Sequence, residues 1–357
     1  MSKKSLYQQL AVWLLVILIV GACKSSTQNK ITEALADQSQ VLSDFFLGNG
    51  DFINDPIVPA ILNAAEVYSA LQTANILVID LRTPEQYAEA HIAGSIRIDA
   101  AEIIDYMTSE IEAAAFDKII FVDNRGQVSS YVTAITRLLG FDHTYFIRFG
   151  LSSWNEAFAK SGWEMVINNF LEDKMETSSN PKASPSTLPL LQTKGTTAYQ
   201  IAKEQAKHLL SQPPLSFTKT IEEVLDPDNN FYIVNYWPEA KYTNYGHLTG
   251  AIQYTPKKSL HPDQDLLTLP TDRPVIVYCF TGQHSAHVVA YLRMLGYDAY
   301  SIIYGSNSFL YETISKNEEK PGTFWSDLHK NNFPFVSGQQ QIPEKIDVEI
   351  KSIQGGC

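Results

Sequence analysis

The chain has 357 residues, 45% of them hydrophobic and 18% charged, with a net charge of −12. That length suggests two domains on a prior of about 150 residues each, and the hydrophobic share suffices for packed cores. The negative balance argues against a nucleic-acid partner, and three cysteines make no disulfide framework.

The N-terminus opens with Lys3 and Lys4, an apolar run from Leu10 to Val20, and Val20-Gly-Ala-Cys23. A basic start, a short apolar core and small residues describe a secretory signal. The run is shorter than the roughly 20 residues a membrane span needs. Cys23 directly after Gly-Ala resembles the lipobox of bacterial lipoproteins. The resemblance implies removal of residues 1–22, acylation of Cys23 and a lipid bilayer as partner, hence a lipid-anchored, periplasm-facing place in the bacterial cell envelope. Lys24, where inner-membrane retention is associated with aspartate, leans toward the outer membrane. An ordinary signal or membrane anchor is the alternative.

Residues 23–57 read as a polar tether with a short amphipathic helix carrying Ile31, Leu35, Val41, Leu42, Phe45 and Phe46. A first compact unit spans 58–165. It has a helix in the later part of Ala60–Leu71, strands at Asn75–Asp80 and Lys118–Val122, and a helix from Tyr131 to Leu139 stopped by Gly140. Residues 166–199 include a run rich in Ser, Thr, Pro and Lys, which is linker composition. A second unit spans 200–315. It opens on a helix from Thr197 to Leu210 and contains a buried strand at Val275–Tyr278. A further helix follows on Val288, Val289, Leu292 and Leu295, capped by Gly296. Residues 316–357 form a polar tail ending in Gly355-Gly-Cys357. Strands alternating with helices predict an α/β fold, with a parallel sheet flanked by helices in each unit.

The two units repeat at one offset. His91 and His247, Gly94 and Gly250, Gly126 and Gly282, and Ser129 and Ser285 all lie 156 residues apart, as do Arg137-Leu-Leu-Gly-Phe-Asp142 and Arg293-Met-Leu-Gly-Tyr-Asp298. Cys279 stands where the second copy's strand gives way to its helix. The equivalent position in the first copy is Asp123. Reactive groups in open α/β sheets gather at the carboxyl ends of strands, where loop amides and a helix N-terminus favour an anion. The shared scaffold therefore assigns chemistry to the second copy. A buried, inert cysteine is the plain alternative.

Asp80-Leu-Arg82, Tyr87 and His91-Ile-Ala-Gly-Ser95 resemble the N-terminal signature of rhodanese-like domains, and Cys279-Phe-Thr-Gly-Gln-His-Ser285 resembles their active-site loop. The resemblance covers both units. It implies two rhodanese-like domains, the first inactive with Asp123 in place of cysteine. It also implies a sulfurtransferase in which Cys279 takes sulfur from a small-molecule donor and hands it to a thiol or cyanide, with no metal or organic cofactor. The loop from Phe280 through Thr281, Gly282, Gln283, His284 and Ser285 would then hold the persulfide. Its amides would stabilise the anion, and Gly282 would supply a positive φ. Ser285 would cap the helix and donate toward sulfur, and His284 would bind an anionic donor or move a proton; a solvent-exposed filler is the other reading of His284. The second copy departs from the signature, with Asn235-Tyr-Trp237 where the first has Asp80-Leu-Arg82. The loop also lacks the Arg or Lys of thiosulfate-using members. His247 is expected to pack rather than catalyse.

Two other readings stay open. Related cysteine phosphatases and arsenate reductases need an arginine six positions after the nucleophile, where this chain has Ser285. A non-enzymatic binding or scaffolding module would give Cys279 ordinary alkylation kinetics. Cys357 is a candidate resolving thiol for a Cys279 persulfide, or a chain-end residue with no role.

Overall fold

The computed structural model describes residues 38–319 and 322–339. The expected signal, Cys23 and Cys357 lie outside those residues. Residues 38–48 form helix α1. The first unit follows as β1 (Ile61–Leu62), α2 (Ala64–Thr73), β2 (Ile76–Asp80), α3 (Pro84–Glu89), β3 (Ile96–Arg97), α4 (Ile103–Asp105), β4 (Lys118–Val122), α5 (Gln127–Leu138), β5 (Thr144–Ile147) and α6 (Glu156–Ser161). The second comprises α7 (Ala198–Leu210), β6 (Thr218–Lys219), α8 (Ile221–Leu225), β7 (Tyr232–Asn235), α9 (Glu239–Asn244), β8 (Ile252–Gln253), β9 (Val275–Tyr278), α10 (Gln283–Met294), β10 (Ala299–Ile302) and α11 (Tyr311–Asn317).

Each unit builds one five-stranded parallel sheet, ordered β1-β5-β4-β2-β3 and β6-β10-β9-β7-β8. The same order twice is the repeat seen as topology. The central strands β4 and β9 are covered on both faces, so their sequences run apolar without alternation.

The units meet through α5 and α10. Ser130 donates its hydroxyl to the Gln283 carbonyl at 2.7 Å. The glutamine after each capping glycine crosses into the other unit. Gln127 donates to Ser301 Oγ at 3.1 Å and accepts from the Tyr304 N–H at 3.0 Å, while Gln283 accepts from the Phe149 N–H at 2.8 Å. The contact is therefore reciprocal, as across a dimer twofold. A Cβ on Gly126 would sit 2.7 Å from Gln283 Oε1, and one on Gly282 2.8 Å from Gln127 Nε2. Each glycine makes room for the opposite glutamine.

Three segments are docked where spacers were expected. The short helix expected late in the tether is α1, and its Leu42 and Phe46 lie in the core, with the Phe46 ring 6.1 Å from Tyr291. The linker is not a free spacer. Its Leu171 N–H donates to the Phe309 carbonyl, and Glu176 forms a two-way antiparallel bridge with His247. The tail returns the arrangement. Phe333 N–H donates to the Trp154 carbonyl, Val336 bridges His91 antiparallel, and the Phe333 ring stacks on Tyr68 at 4.3 Å. The exit segment of each unit is thus a strap docked on the other. Such irregular segments carry no hydrophobic period, which is why composition alone read them as spacers.

Glu176 fastens the first strap. Its carboxylate accepts from Ser178 Oγ (2.7 Å), the Gly250 N–H (2.8 Å) and Asn180 Nδ2 (3.0 Å). Those bonds, Ser178 foremost, hold its pKa at about 2. A folded-state pKa below the ordinary value of 4.5 stabilises above pH 4.5 and is lost as pH falls toward 2. Glu176→Gln is therefore expected to lower the urea midpoint at pH 7 and to leave it nearer wild type at pH 3. A deficit of equal size at both pH values would refute this role.

Candidate active site

Cys279 directly follows β9, and Gly282 caps the start of α10 with φ +75. Glycine is required there because the chain must enter the left-handed region. The thiol is buried, with 4% of the residue exposed, yet it faces a cavity of about 660 Å³ shared by both units. Its sulfur accepts the Ser285 N–H at 3.3 Å. Among the described residues, no intramolecular acceptor meets the N–H groups of Phe280, Thr281, Gly282, Gln283 or His284. They are the unspent donors of a strand-to-helix turn.

Ser285 departs from its expected part. The helix cap is Gly282, and the Ser285 hydroxyl donates to the Gly282 carbonyl at 3.2 Å while pairing with Ser301 Oγ at 2.8 Å. Its backbone, not its hydroxyl, serves the sulfur. Gln283 is spent on the interface. Thr281 is buried, and Phe280 stacks on Trp237 at 4.6 Å and 11°. That stack occupies the eroded signature. Where Arg82 and Asp80 pair at 2.7 Å in the first unit, Asn235 donates to Tyr278 Oη at 2.8 Å and Trp237 braces the loop. Aromatic packing beside Cys279 stands where the first unit has an ion pair.

His284 is neither a solvent-exposed filler nor a cation. It is half-buried, edge-on to Tyr236 with ring centroids 5.1 Å apart, and its Nε2 has no partner among the described residues. Burial first, and Lys257 nearby second, hold its pKa down to about 3, so it is neutral at neutral pH. A neutral imidazole offers an anionic donor a hydrogen bond at most. His247 is fully buried, stacked on Tyr242 at 3.6 Å, with Nδ1 donating to the Tyr242 carbonyl at 3.2 Å. It holds the turn and lies outside the cavity lining.

The first unit's loop is occupied by its own side chain. Asp123 Oδ1 accepts from the Gly126 N–H (3.0 Å), the Ser129 N–H (3.2 Å) and Ser129 Oγ (2.5 Å). A carboxylate fills the cradle that stands ready around Cys279, and it leaves no nucleophile for sulfur.

Sequence reasoning missed several residues. Tyr236, Lys257 and Arg148 also line the Cys279 cavity, the last contributed by the first unit. Their approach depends on tertiary packing, across the two units in the case of Arg148, and no local motif marks it. Gln127 and Gln283 did carry a signal, being identical at the repeat offset within Gly126-Gln-Val-Ser129 and Gly282-Gln-His-Ser285.

The family model described as Rhodanese-like domain matches residues 63–157 and 220–311, just over half the chain. An uncharacterized Escherichia coli protein, YibN, is 27% identical over 95 residues, covering 26% of this chain and 66% of its own length. The chain thus spans slightly less than two thirds of that relative. Thiosulfate sulfurtransferase GlpE from Pseudoalteromonas translucida is 26% identical over 100 residues, covering 28% of this chain and 91% of that one. The solved thiosulfate sulfurtransferase from Pseudomonas aeruginosa is 14% identical with a TM-score of 0.29, covering 85% of this chain and 50% of that one.

Proposed function

This chain belongs to the rhodanese-like domain family, and from that premise we propose that it is a sulfurtransferase whose Cys279 carries sulfane sulfur to a thiol or cyanide acceptor. The observation that carries the reading is the contrast between the two loops. Asp123 fills its own cradle, whereas the cradle at Cys279 offers an N–H to sulfur and opens to a cavity. In the forward step the Cys279 thiolate attacks the outer sulfur of a donor. The new S–S bond forms as the donor's bond to that sulfur breaks, and the leaving group departs with its electron pair. The persulfide anion then extends among the free loop amides, which need no added cation to stabilise it. An acceptor nucleophile takes the outer sulfur and restores the thiolate. No step needs a redox partner. Acylation of Cys23 would place this activity at the cell envelope, facing the periplasm.

The test is loading. Purified protein is treated with thiosulfate, mercaptopyruvate and polysulfide, and its intact mass is read. Gain of one sulfur atom, mapped to Cys279 and discharged by cyanide, is expected with at least one donor. Absence of any adduct with all three would overturn the proposal.

A further inference from the structure

The cavity beside Cys279 carries more than a place for sulfur, and its walls speak to the donor's chemistry. At about 30 Å³ for each water-sized group, the five heavy atoms of thiosulfate fill on the order of 150 Å³. The cavity measures about 660 Å³. That is the size class of sites that take organic ligands. Pro59, Ile61 and Phe280 give it apolar wall.

Two cations face this space from different units. Arg148 follows β5 of the first unit, and Lys257 lies in the turn after β8 of the second. Among the described residues neither has a carboxylate within ion-pair distance. Arg148 donates Nε to Asn63 Oδ1 at 3.1 Å and approaches the Gly322 carbonyl at 3.5 Å, while Lys257 donates Nζ to the Pro56 carbonyl at 2.5 Å. Both are half-buried, and burial, the largest influence on each, pulls both pKa values down. A third cation, Lys241, differs because Glu318 neutralises it at 2.7 Å. Lys257 also holds φ +59, a left-handed conformation that strains a non-glycine residue and tends to persist at functional sites. Its backbone N–H donates to Tyr236 Oη at 2.9 Å, which fixes the turn against the cavity wall.

Resting on the sulfur-transfer reading above, the geometry points to an organic persulfide as donor: a peptide-sized thiol bearing at least two carboxylates, held between Arg148 and Lys257. Thiosulfate would leave most of the volume empty, so the cavity favours a larger donor. The lining holds Arg148, Lys241 and Lys257 against Glu318 and Glu319, one net positive charge, which favours acidic over basic thiols. The step balances without a co-reactant. The Cys279 thiolate and R–S–SH give the Cys279 persulfide anion and R–SH, with one S–S bond formed, one broken, and the donor's proton passed to the departing thiol.

The experiment compares glutathione persulfide, which has two carboxylates, with cysteamine persulfide, which is cationic, as donors to the whole chain, with thiosulfate and polysulfide alongside. Glutathione persulfide is expected to load Cys279 at least tenfold faster in kcat/KM than cysteamine persulfide or thiosulfate. Arg148→Met and Lys257→Met are each expected to narrow the ratio between the two organic donors by about tenfold, through a higher KM for glutathione persulfide, as removal of a charged hydrogen-bond donor predicts. Equal loading by both organic donors would overturn the inference. So would thiosulfate matching glutathione persulfide, or variants that slow both organic donors by one common factor, which is the mark of a merely structural role. If polysulfide loads Cys279 while donor charge makes no difference, only this inference fails. If nothing loads Cys279, the sulfur-transfer reading fails and takes the inference with it.

Discussion

Cys279→Ser is expected to give a folded protein that takes up no sulfur from any donor, with turnover reduced on the order of a thousandfold or more, the scale on which loss of a covalent nucleophile is felt. The swap is small in volume and keeps an acceptor for the Ser285 N–H, which now reaches sulfur at 3.3 Å. Urea midpoints of the two proteins should therefore lie close together. A serine alkoxide is not available at neutral pH, and no chain atom equivalent to the thiolate replaces it. Asp123 offers no second route, since its carboxylate is tied to Gly126 and Ser129. Residual loading of the variant above one tenth of the wild-type rate would show that sulfur enters elsewhere.

Gly305→Ala is expected to do comparable damage by a different cause. Gly305 holds φ +58, and a Cβ there would sit 2.5 Å from the Cys279 carbonyl and 2.9 Å from the Phe280 carbonyl carbon. Both are backbone atoms of the reactive turn and cannot rotate away. That turn is also held by the Ser306 and Asn307 N–H groups, which donate to the Cys279 and Phe280 carbonyls at 3.0 Å each. Overpacking against backbone together with left-handed strain costs about 3 kcal/mol or more. Loading of Cys279 should fall at least a hundredfold as the turn is displaced. A thermal midpoint within about 2 °C of wild type, less than 1 kcal/mol would move a domain of this size, would show that the turn yields more easily than its packing indicates.

Much of this site was legible in the sequence because the chemistry is local. β4 and β9 fall on the bounds that their β-branched runs predict, since a strand buried on both faces leaves a plain apolar signature. The helices were read as starting late. α5 begins at Gln127 rather than Tyr131, and α10 at Gln283, ahead of the cap expected at Ser285. In each the capping glycine starts the helix directly, and the polar first turn, spent on the opposite unit, has no apolar period to betray it. The Ser285 hydroxyl, the neutral His284 and the cations Arg148 and Lys257 were hidden for one reason. Their states depend on groups outside the loop: Ser301 for the first, enclosure by Tyr236 and Lys257 for the second, the meeting of two units for the last pair. Motifs record what a turn needs from itself, and they are silent on what arrives from outside.

The crossed straps bear on how the molecule is made. A ribosome releases the first unit before any of the second exists, yet the face around His91 and Trp154 waits for Val336 and Phe333, the last described stretch to emerge. Until then that unit shows bare edge and aromatic surface, including Tyr68 and Trp154, to whatever accompanies a nascent polypeptide. Maturation therefore finishes at the opposite end from where it begins, and a copy cut short before residue 333 would leave its earliest-born half permanently unsealed.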